Sequence, residues 1–282
     1  MIATPAPNAA AALPAPTDPE GEHLGEVHVV VEGDRSAPAV ALVHGIPGSV
    51  RDWRYASPAL AARGLCAVRF DMPGFGQTPA RAFSSPKAEN RAAFVRGCMR
   101  ALGFARFAVV GHSIGGVVAL MAAACFPDEV WALGLVNSAG TRRHRGLTVP
   151  ASWIRGMAEV ARLPVLGPRA VGWLDAFYEG RGTKNPTRLN ADNAFLHLAI
   201  SGDLDIAANK RAAAQVRCPA WVASAHDDPL VELAVGTALA RDLREAPLVT
   251  HLVRERGGHY LQKHAAWELA DWLALQAPPP PR

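Results

Sequence analysis

A serine flanked by glycines is the strongest chemical signal in this chain. Gly111-His112-Ser113-Ile114-Gly115 sets G-x-S-x-G between an apolar run typical of a strand and an apolar run typical of a helix. A strained strand-to-helix turn pushes such a serine hydroxyl outward, and glycines let the two elements approach closely. The pattern therefore predicts a nucleophile elbow, with the positive end of the helix facing any oxyanion that forms there.

Two polar positions downstream complete a possible catalytic triad. Asp228 lies in an acidic turn after a short buried-strand pattern, and His259 follows two glycines after a second strand-like run. A histidine can take the proton from the serine hydroxyl, and a carboxylate can orient the imidazole. The chain order Ser, Asp, His distinguishes this arrangement from triads on other scaffolds.

Other histidines are weaker candidates for the general base. His251 and His264 are interpreted as a strand residue and a helix-surface residue, whereas His259 lies in a glycine loop. His44, His112 and His226 are expected to hydrogen-bond to the backbone near the site rather than to titrate in catalysis. A structural role in a tight turn is the alternative for Ser113.

Two upstream motifs, together with the serine turn and its partners, resemble the α/β-hydrolase family. Residues 44–48, HGIPG, are similar to the family's HG-x-P loop, and residues 71–76, DMPGFG, are similar to its D-x-P-G-x-G turn. The resemblance runs from about Val27 to Leu275. It implies an α/β-hydrolase fold, with a mostly parallel twisted sheet, helices on both faces and an inserted helical lid. It also implies an oxyanion hole built from the backbone N–H groups of Ile46 and Ile114.

The same resemblance helps to choose the acid of the possible catalytic triad. Asp227 is an alternative to Asp228, but the family's D-x-x-V spacing onto Val231 favours Asp228. Asn137 occupies a place where some relatives carry their acid, and an amide cannot supply that charge. Asp71 is interpreted as an acceptor that stabilises its turn.

Hydrophobic patterning predicts the domain organisation, and the resemblance implies that the segment between the two parts of the core is a lid. A disordered Ala/Pro-rich tail is expected over 1–22, the hydrolase core over 23–140 and 206–276, the helical lid over 141–205, and a Pro-rich tail over 277–282. Strands are predicted near 26–32, 39–43, 65–70, 106–110, 131–136, 219–224 and 248–253, and helices near 53–63, 88–102, 114–126, 231–243 and 262–275.

The predicted lid is where substrate choice is expected. Two sets of apolar residues recur at helical spacing: Trp153, Ile154, Met157 and Val160, and Trp173, Leu174, Phe177 and Tyr178. Of these, Trp153, Met157 and Phe177 are candidate substrate contacts, with His44 from the upstream loop; packing of the lid onto the core is the alternative. Residues 141–190 contain nine Lys or Arg and three Asp or Glu, a net of +6. Such charge is typical of a solvated face, and attraction of an acidic substrate or a membrane surface is the second interpretation.

Composition limits the classes of protein and partner. A chain of 282 residues, 50% hydrophobic and 19% charged, can form one large domain with a dependent sub-domain. A net charge of +4 without a basic, aromatic-interleaved patch argues against nucleic acid as a partner. No apolar run has transmembrane length and no basic segment opens the chain, so we expect a cytoplasmic monomer or homodimer without stable membrane insertion. The four cysteines, at 66, 98, 125 and 218, are interpreted as small buried hydrophobic residues.

The resemblance implies a serine hydrolase that forms an acyl-enzyme intermediate. The leading hypothesis is cleavage of a carboxylic ester with a small or medium, largely apolar acyl group, without metal or organic cofactor. Hydrolysis of a carbon–carbon bond in a diketone-like compound is an alternative, as is a non-catalytic protein that binds ligands or partner proteins on the same scaffold. Epoxide hydrolysis and dehalogenation are disfavoured, because both need a carboxylate nucleophile and position 113 is serine.

Overall fold

An eight-stranded sheet forms the centre of the protein. The computed structural model describes residues 22–80, 85–147, 149–161, 163, 165–181 and 190–279. Its strands are β1 Glu22–Leu24, β2 Val27–Glu32, β3 Ala39–Val43, β4 Cys66–Phe70, β5 Phe107–His112, β6 Val130–Val136, β7 Ala220–Ala225 and β8 Val249–Arg254. Their order across the sheet is β1-β2-β4-β3-β5-β6-β7-β8. The pairings of β1 with β2 and of β2 with β4 are antiparallel, and the other pairings are parallel.

Helices cover both faces of this sheet. Within the described ranges they are α1 Ala56–Ala61, α2 Ala88–Ala101, α3 Ile114–Cys125, α4 Ala151–Ala161, α5 Gly167–Glu179, α6 Ala191–Gly202, α7 Ile206–Ala213, α8 Leu233–Asp242 and α9 Ala266–Gln276. Successive side chains of a strand point to opposite faces, so Val109 packs in the core beneath α2 and α3, while Val110 packs in the core beneath α1 and α9. The buried strands therefore read as continuous apolar runs, as expected for a parallel sheet covered on both sides.

Three helices between β6 and α7 have a small apolar core of their own. Side chains of α4, α5 and α6 meet there, among them Ile154, Leu174 and Leu198. α6 begins at a capping box in which Asn190 and Asn193 bond reciprocally to each other's backbone N–H. We call α4, α5 and α6 the inserted helices.

The structure confirms the predicted α/β architecture, and each predicted strand has a counterpart. The short edge strand β1 was not predicted. The predicted helix over 53–63 is instead a 3-10 turn, Val50–Trp53, followed by the shorter α1. Pro58 lies near the start of α1, where its missing N–H is tolerated, and Gly64 has a φ of +72° beyond the end of the helix.

Other local predictions are partly wrong or lie outside the described residues. Cys125 is exposed at the end of α3, whereas Cys66, Cys98 and Cys218 are buried as expected. The predicted N-terminal tail lies outside the described residues except for Glu22, and residues 280–282 of the Pro-rich tail also lie outside them. No helix among the described residues combines the length and the apolar character needed to cross a membrane.

Candidate active site

Ser113 occupies the sharp turn between β5 and α3. Its backbone has φ +54° and ψ −122°, a conformation that costs energy for a residue with a side chain. The surrounding backbone holds the turn, because Ser113 N–H donates to Val136 O (3.0 Å) and Ser113 O accepts from Ala139 N–H (3.0 Å).

Glycines make this turn possible because the neighbouring backbone lies too close for a side chain. A Cβ at Gly111 would lie 2.1 Å from Gly115 O, and a Cβ at Gly115 would lie 2.3 Å from His44 O. The G-x-S-x-G spacing is therefore a packing requirement of β5, α3 and the loop after β3. It leaves the hydroxyl of Ser113 at the carboxyl edge of the parallel strands, where open α/β sheets place their sites.

The structure brings Ser113, His259 and Asp228 together. His259 Nε2 lies 3.1 Å from Ser113 Oγ, and His259 Nδ1 lies 3.1 Å and 2.9 Å from the two carboxylate oxygens of Asp228. Asp228 and His259 are both buried. The imidazole thus lies between the hydroxyl and the carboxylate, at the distances required for proton transfer and for orientation of the ring.

The environment of Asp228 keeps it ionised. Burial opposes ionisation, but the hydrogen bond and charge of His259 outweigh that cost, aided by the N–H groups of Val231 and Leu230, and the pKa of Asp228 is lowered. Both N–H groups donate to Asp228 Oδ1, at 2.9 Å and 2.8 Å. The carboxylate can therefore stabilise an imidazolium on its other side.

Asp227 has a different position. Its carboxylate oxygens accept from the N–H groups of Gly257 (3.2 Å) and Gly258 (2.7 Å), the loop that carries His259. The two adjacent acids thus divide their contacts: Asp228 faces the imidazole, and Asp227 holds the backbone that presents it.

Asn137 also fixes this loop, a contact that the sequence did not suggest. Its Nδ2 donates to Gly258 O (2.8 Å) and His259 O (3.0 Å), while its Oδ1 accepts from Ala225 N–H (3.1 Å). Asn137 lies just after β6 with a φ of +40°, a conformation that asparagine adopts more readily than most residues. One buried amide therefore connects β6, β7 and the loop of His259.

Two buried histidines support the backbone around the serine. His112 Nε2 donates to His259 O (2.8 Å), and burial, with the nearby charge of His259, lowers the pKa of His112 to about 3. His44 Nδ1 donates to Gly45 O (2.6 Å) and its Nε2 accepts from Met72 N–H (2.9 Å). Burial lowers the pKa of His44 to about 4, with a partial opposing effect from Asp71. Both imidazoles are neutral near pH 7.

A narrow cavity opens at Ser113. Its volume is about 80 Å³, and Ile46, Ile114 and His259 are among the residues around it. Its remaining apolar lining comes mainly from the inserted helices and the loops beside them, and includes Leu147, Val149, Ile154, Met157, Trp173, Leu174, Phe177 and Leu198. None of the described residues that line the cavity is Lys or Arg.

A few polar groups interrupt this apolar wall. Tyr178 Oη donates to Ile46 O (3.2 Å) and lies 3.3 Å from His197 Nε2. His197 is buried, which lowers its pKa to about 4, and its Nδ1 has no hydrogen-bond partner among the described residues. His144 Nδ1 lies 3.1 Å from Leu230 O, and burial lowers its pKa as well. The sequence predicted Tyr178 only as part of an apolar helix face and gave no signal for these two histidines.

Two of the four tentative substrate contacts are wrong. His44 is fully buried behind the loop, with both ring nitrogens bonded to backbone, and Trp153 is 71% exposed on the outer face of α4. Met157 and Phe177 do line the cavity. The face of α4 that turns inward carries Ile154, Met157, Ala158 and Ala161, so the predicted member Val160 also lies outside.

Three further histidines considered as candidates do not line the cavity at Ser113. His251 is a strand residue of β8, as expected, and its Nε2 is 3.1 Å from Ser224 Oγ. His264 is exposed after a 3-10 turn. His226 does not support the backbone as expected, because its side chain is half exposed and its Nε2 faces Glu255, at 3.8 Å. Asp71 behaves as predicted and accepts from Val50 N–H and Gln77 N–H, at 2.7 Å and 2.8 Å.

Comparison with known proteins identifies the family. The family described as alpha/beta hydrolase fold matches residues 38–266. The chain belongs to the alpha/beta hydrolase fold family. A Variovorax paradoxus protein, named provisionally as the carbamate hydrolase RutD, is 28% identical over 90% of this chain and 98% of its own length.

Other relatives of this alpha/beta hydrolase carry different names. A Pseudomonas putida protein, the dihydrolipoyllysine-residue acetyltransferase component of an acetoin cleaving system, is 32% identical over 49% of this chain, and the match spans only 36% of that relative. The solved enol-lactonase of Burkholderia xenovorans superposes with a TM-score of 0.69 at 19% identity and covers 89% of this chain and 95% of its own. That likeness shows the fold.

Proposed function

We propose that this alpha/beta hydrolase cleaves a carboxylic ester through an acyl-enzyme formed on Ser113. The observation that carries the proposal is the Ser113–His259–Asp228 contact series at the mouth of a narrow apolar cavity. His259 Nε2 takes the proton from Ser113 Oγ as the oxygen attacks the acyl carbonyl. The same nitrogen then returns that proton to the departing alkoxide, and water repeats the sequence to release the acid.

The oxyanion of the tetrahedral intermediate is assigned to backbone N–H groups. Ile114 N–H lies at the first turn of α3, and Ile46 N–H lies in the loop after β3; both residues border the cavity beside Ser113. A helix N-terminus carries unpaired N–H groups and the positive end of the helix dipole. Loss of one such donor typically reduces the rate by about two to three orders of magnitude.

The cavity favours a small, neutral acyl group. About 80 Å³ suits a short chain, and the inserted helices act in this proposal as the lid that encloses it. A carboxylated substrate, such as a vinylogous diketo acid, would bury a charge without a cationic partner among the described lining residues. This argues against the carbon–carbon hydrolase alternative, and none of the described basic residues of 141–190 lines the cavity.

Carbamate hydrolysis is the second candidate. It is favoured by the relative that aligns over nearly its whole length and is named provisionally for that activity. The chemistry differs only in the leaving group and in the nitrogen attached to the carbonyl, so the same three side chains would serve. A direct comparison of the two substrate classes decides between them.

The experiment is a panel of nitrophenyl esters from acetate to dodecanoate, a matched nitrophenyl carbamate, and a diketo acid. We expect ester turnover to be highest for short acyl chains and to fall by about 10⁴- to 10⁶-fold in Ser113→Ala. Labelling by a fluorophosphonate should disappear in the same variant. Folded wild-type protein that neither turns over any ester nor becomes labelled would overturn the proposal and favour a binding role.

A second serine–histidine pair provides the matched control. Ser224 Oγ and His251 Nε2 are also 3.1 Å apart, but neither residue borders the cavity. Ser224→Ala should therefore keep both the turnover and the labelling within about threefold of wild type, since no reacting group is removed.

A further inference from the structure

A buried arginine without an anionic partner among the described residues lies on α2, at a second cavity beside α3. Arg91 of α2 is 4% exposed, and no side-chain hydrogen bond or salt bridge joins it to any other described residue. Its Nη2 is enclosed and unpaired. The other arginines of α2 behave differently, because Arg96 and Arg100 both pair with Glu129 near the surface.

An unpaired guanidinium in the interior is energetically costly. Arginine stays protonated at neutral pH, and burial lowers the pKa of Arg91 only to about 10. A buried charge is normally neutralised by a partner that also accepts its hydrogen bonds. The described part of the chain supplies no such partner for Arg91.

Arg91 borders a cavity in which a bound anion would supply the missing partner. This cavity has a volume of about 320 Å³ and lies between α2, α3 and the segment from α6 to α7. Its inner walls are apolar and include Val118, Met121 and Ile200. Ile114 borders this space as well as the cavity at Ser113, so the two cavities share one wall.

The charged rim limits the class of ligand. Lys87, Glu89, Asp203 and Asp205 also border the cavity, but all four are exposed to solvent, which weakens their fields. Asp205 Oδ1 already accepts from Ala208 N–H (2.9 Å) at the start of α7. The rim carries one positive and three negative side chains, an arrangement that disfavours multivalent anions such as phosphate.

We propose that Arg91 and this cavity form a binding site for a small organic monocarboxylate. The carboxylate accepts two hydrogen bonds from the guanidinium, and a short apolar body packs against Val118, Met121 and Ile200. The site is separate from the hydroxyl of Ser113, and its occupancy does not depend on any reaction there.

Titration calorimetry with sodium butanoate at constant ionic strength tests the proposal. Wild type should bind one butanoate saturably, and Arg91→Met should bind it about 10- to 100-fold more weakly, the loss expected for a charge-assisted pair. Butanamide has the same shape without the charge and should bind wild type about 10- to 100-fold more weakly than butanoate does. Arg91→Lys should bind more tightly than Arg91→Met, because it keeps the charge.

Two further variants separate binding from folding. Arg100→Met removes the same charge from the same helix away from the cavity, and it should bind butanoate as wild type does. Ala208→Leu fills the cavity and leaves Arg91 in place, so it should also lose binding. This variant tests the site even if Arg91→Met fails to fold. Absence of saturable binding to wild type, or equal binding by a folded Arg91→Met or Ala208→Leu protein, would overturn the proposal.

Discussion

Asn137→Ala should impair both stability and catalysis, because one amide holds three backbone groups. The substitution removes hydrogen bonds of 2.8, 3.0 and 3.1 Å from a buried site. His259 O keeps its bond from His112, so two groups, Gly258 O and Ala225 N–H, lose their partner. At roughly 1–3 kcal/mol for each unsatisfied buried group, the free energy of unfolding should fall by about 2–6 kcal/mol.

The catalytic effect follows from the geometry of the loop. Without Asn137 the backbone of His259 is held mainly by Asp227 and His112, and a displacement of about 1 Å of the imidazole typically costs about 100-fold in rate. We therefore expect kcat for a short-chain nitrophenyl ester to fall by about 10- to 100-fold with little change in KM. Urea unfolding and steady-state kinetics measure the two effects on the same preparation.

Asn209→Ala is the matched control for this prediction. Asn209 is equally buried, and its Nδ2 donates to Gly140 O (2.9 Å), but it contacts neither the loop of His259 nor the triad. This variant should lose about 1–2 kcal/mol and keep kcat within about threefold of wild type. If Asn137→Ala unfolds at the wild-type urea concentration with unchanged kcat, the amide does not position the histidine and the reasoning fails.

Three other perturbations test different parts of the structure. Asp228→Asn should lower kcat by about 10⁴-fold in ester assays while the circular dichroism spectrum is retained, because the amide cannot stabilise the imidazolium or hold its tautomer. His197, with a folded pKa of about 4 against about 6.5 when unfolded, binds fewer protons in the folded state between those values. The free energy of unfolding must therefore fall as the pH falls through that window, by about 2 kcal/mol between pH 7.5 and 5 for this group. In urea unfolding, His197→Phe should lose correspondingly less stability than wild type over the same pH range. A loss equal to that of wild type would contradict the assigned protonation of His197. Gly111→Ala should not yield soluble folded protein, since its Cβ would lie 2.1 Å from Gly115 O, whereas Gly97→Ala, on an open face of α2, should raise the thermal midpoint slightly.

Local patterns predicted what depends on local geometry. The turn at Ser113 joins a strand and a helix that are adjacent in the chain, and the glycines that allow their close approach lie within two residues of the serine. The strand positions could also be predicted, since buried parallel strands appear as short apolar runs between helical patterns. Contacts between segments that are distant in the chain could be predicted less well, because they produce no local sequence pattern.

His44 and Trp153 illustrate the limit. The direction of the His44 ring is set by Met72 N–H, which comes from the turn after β4 and leaves no pattern in the sequence around position 44. The inward face of α4 is set by Ala158 and Ala161, small residues whose contribution to a core is easily missed beside a tryptophan. The sequence presents Asn137 only as a replacement for an acid. Its hydrogen bonds could not be predicted, because they join three segments that are far apart in the chain.

The bond from Tyr178 Oη to Ile46 O joins an inserted helix directly to the loop beside the serine. Burial raises the pKa of Tyr178, so the phenol remains a hydrogen-bond donor throughout the neutral and mildly alkaline range. An outward movement of α5 that carries Tyr178 with it must break this bond and leave the carbonyl of Ile46 without the phenol donor. The position of α5 and the anchoring of the loop that borders the cavity at Ser113 are thereby coupled through one hydrogen bond.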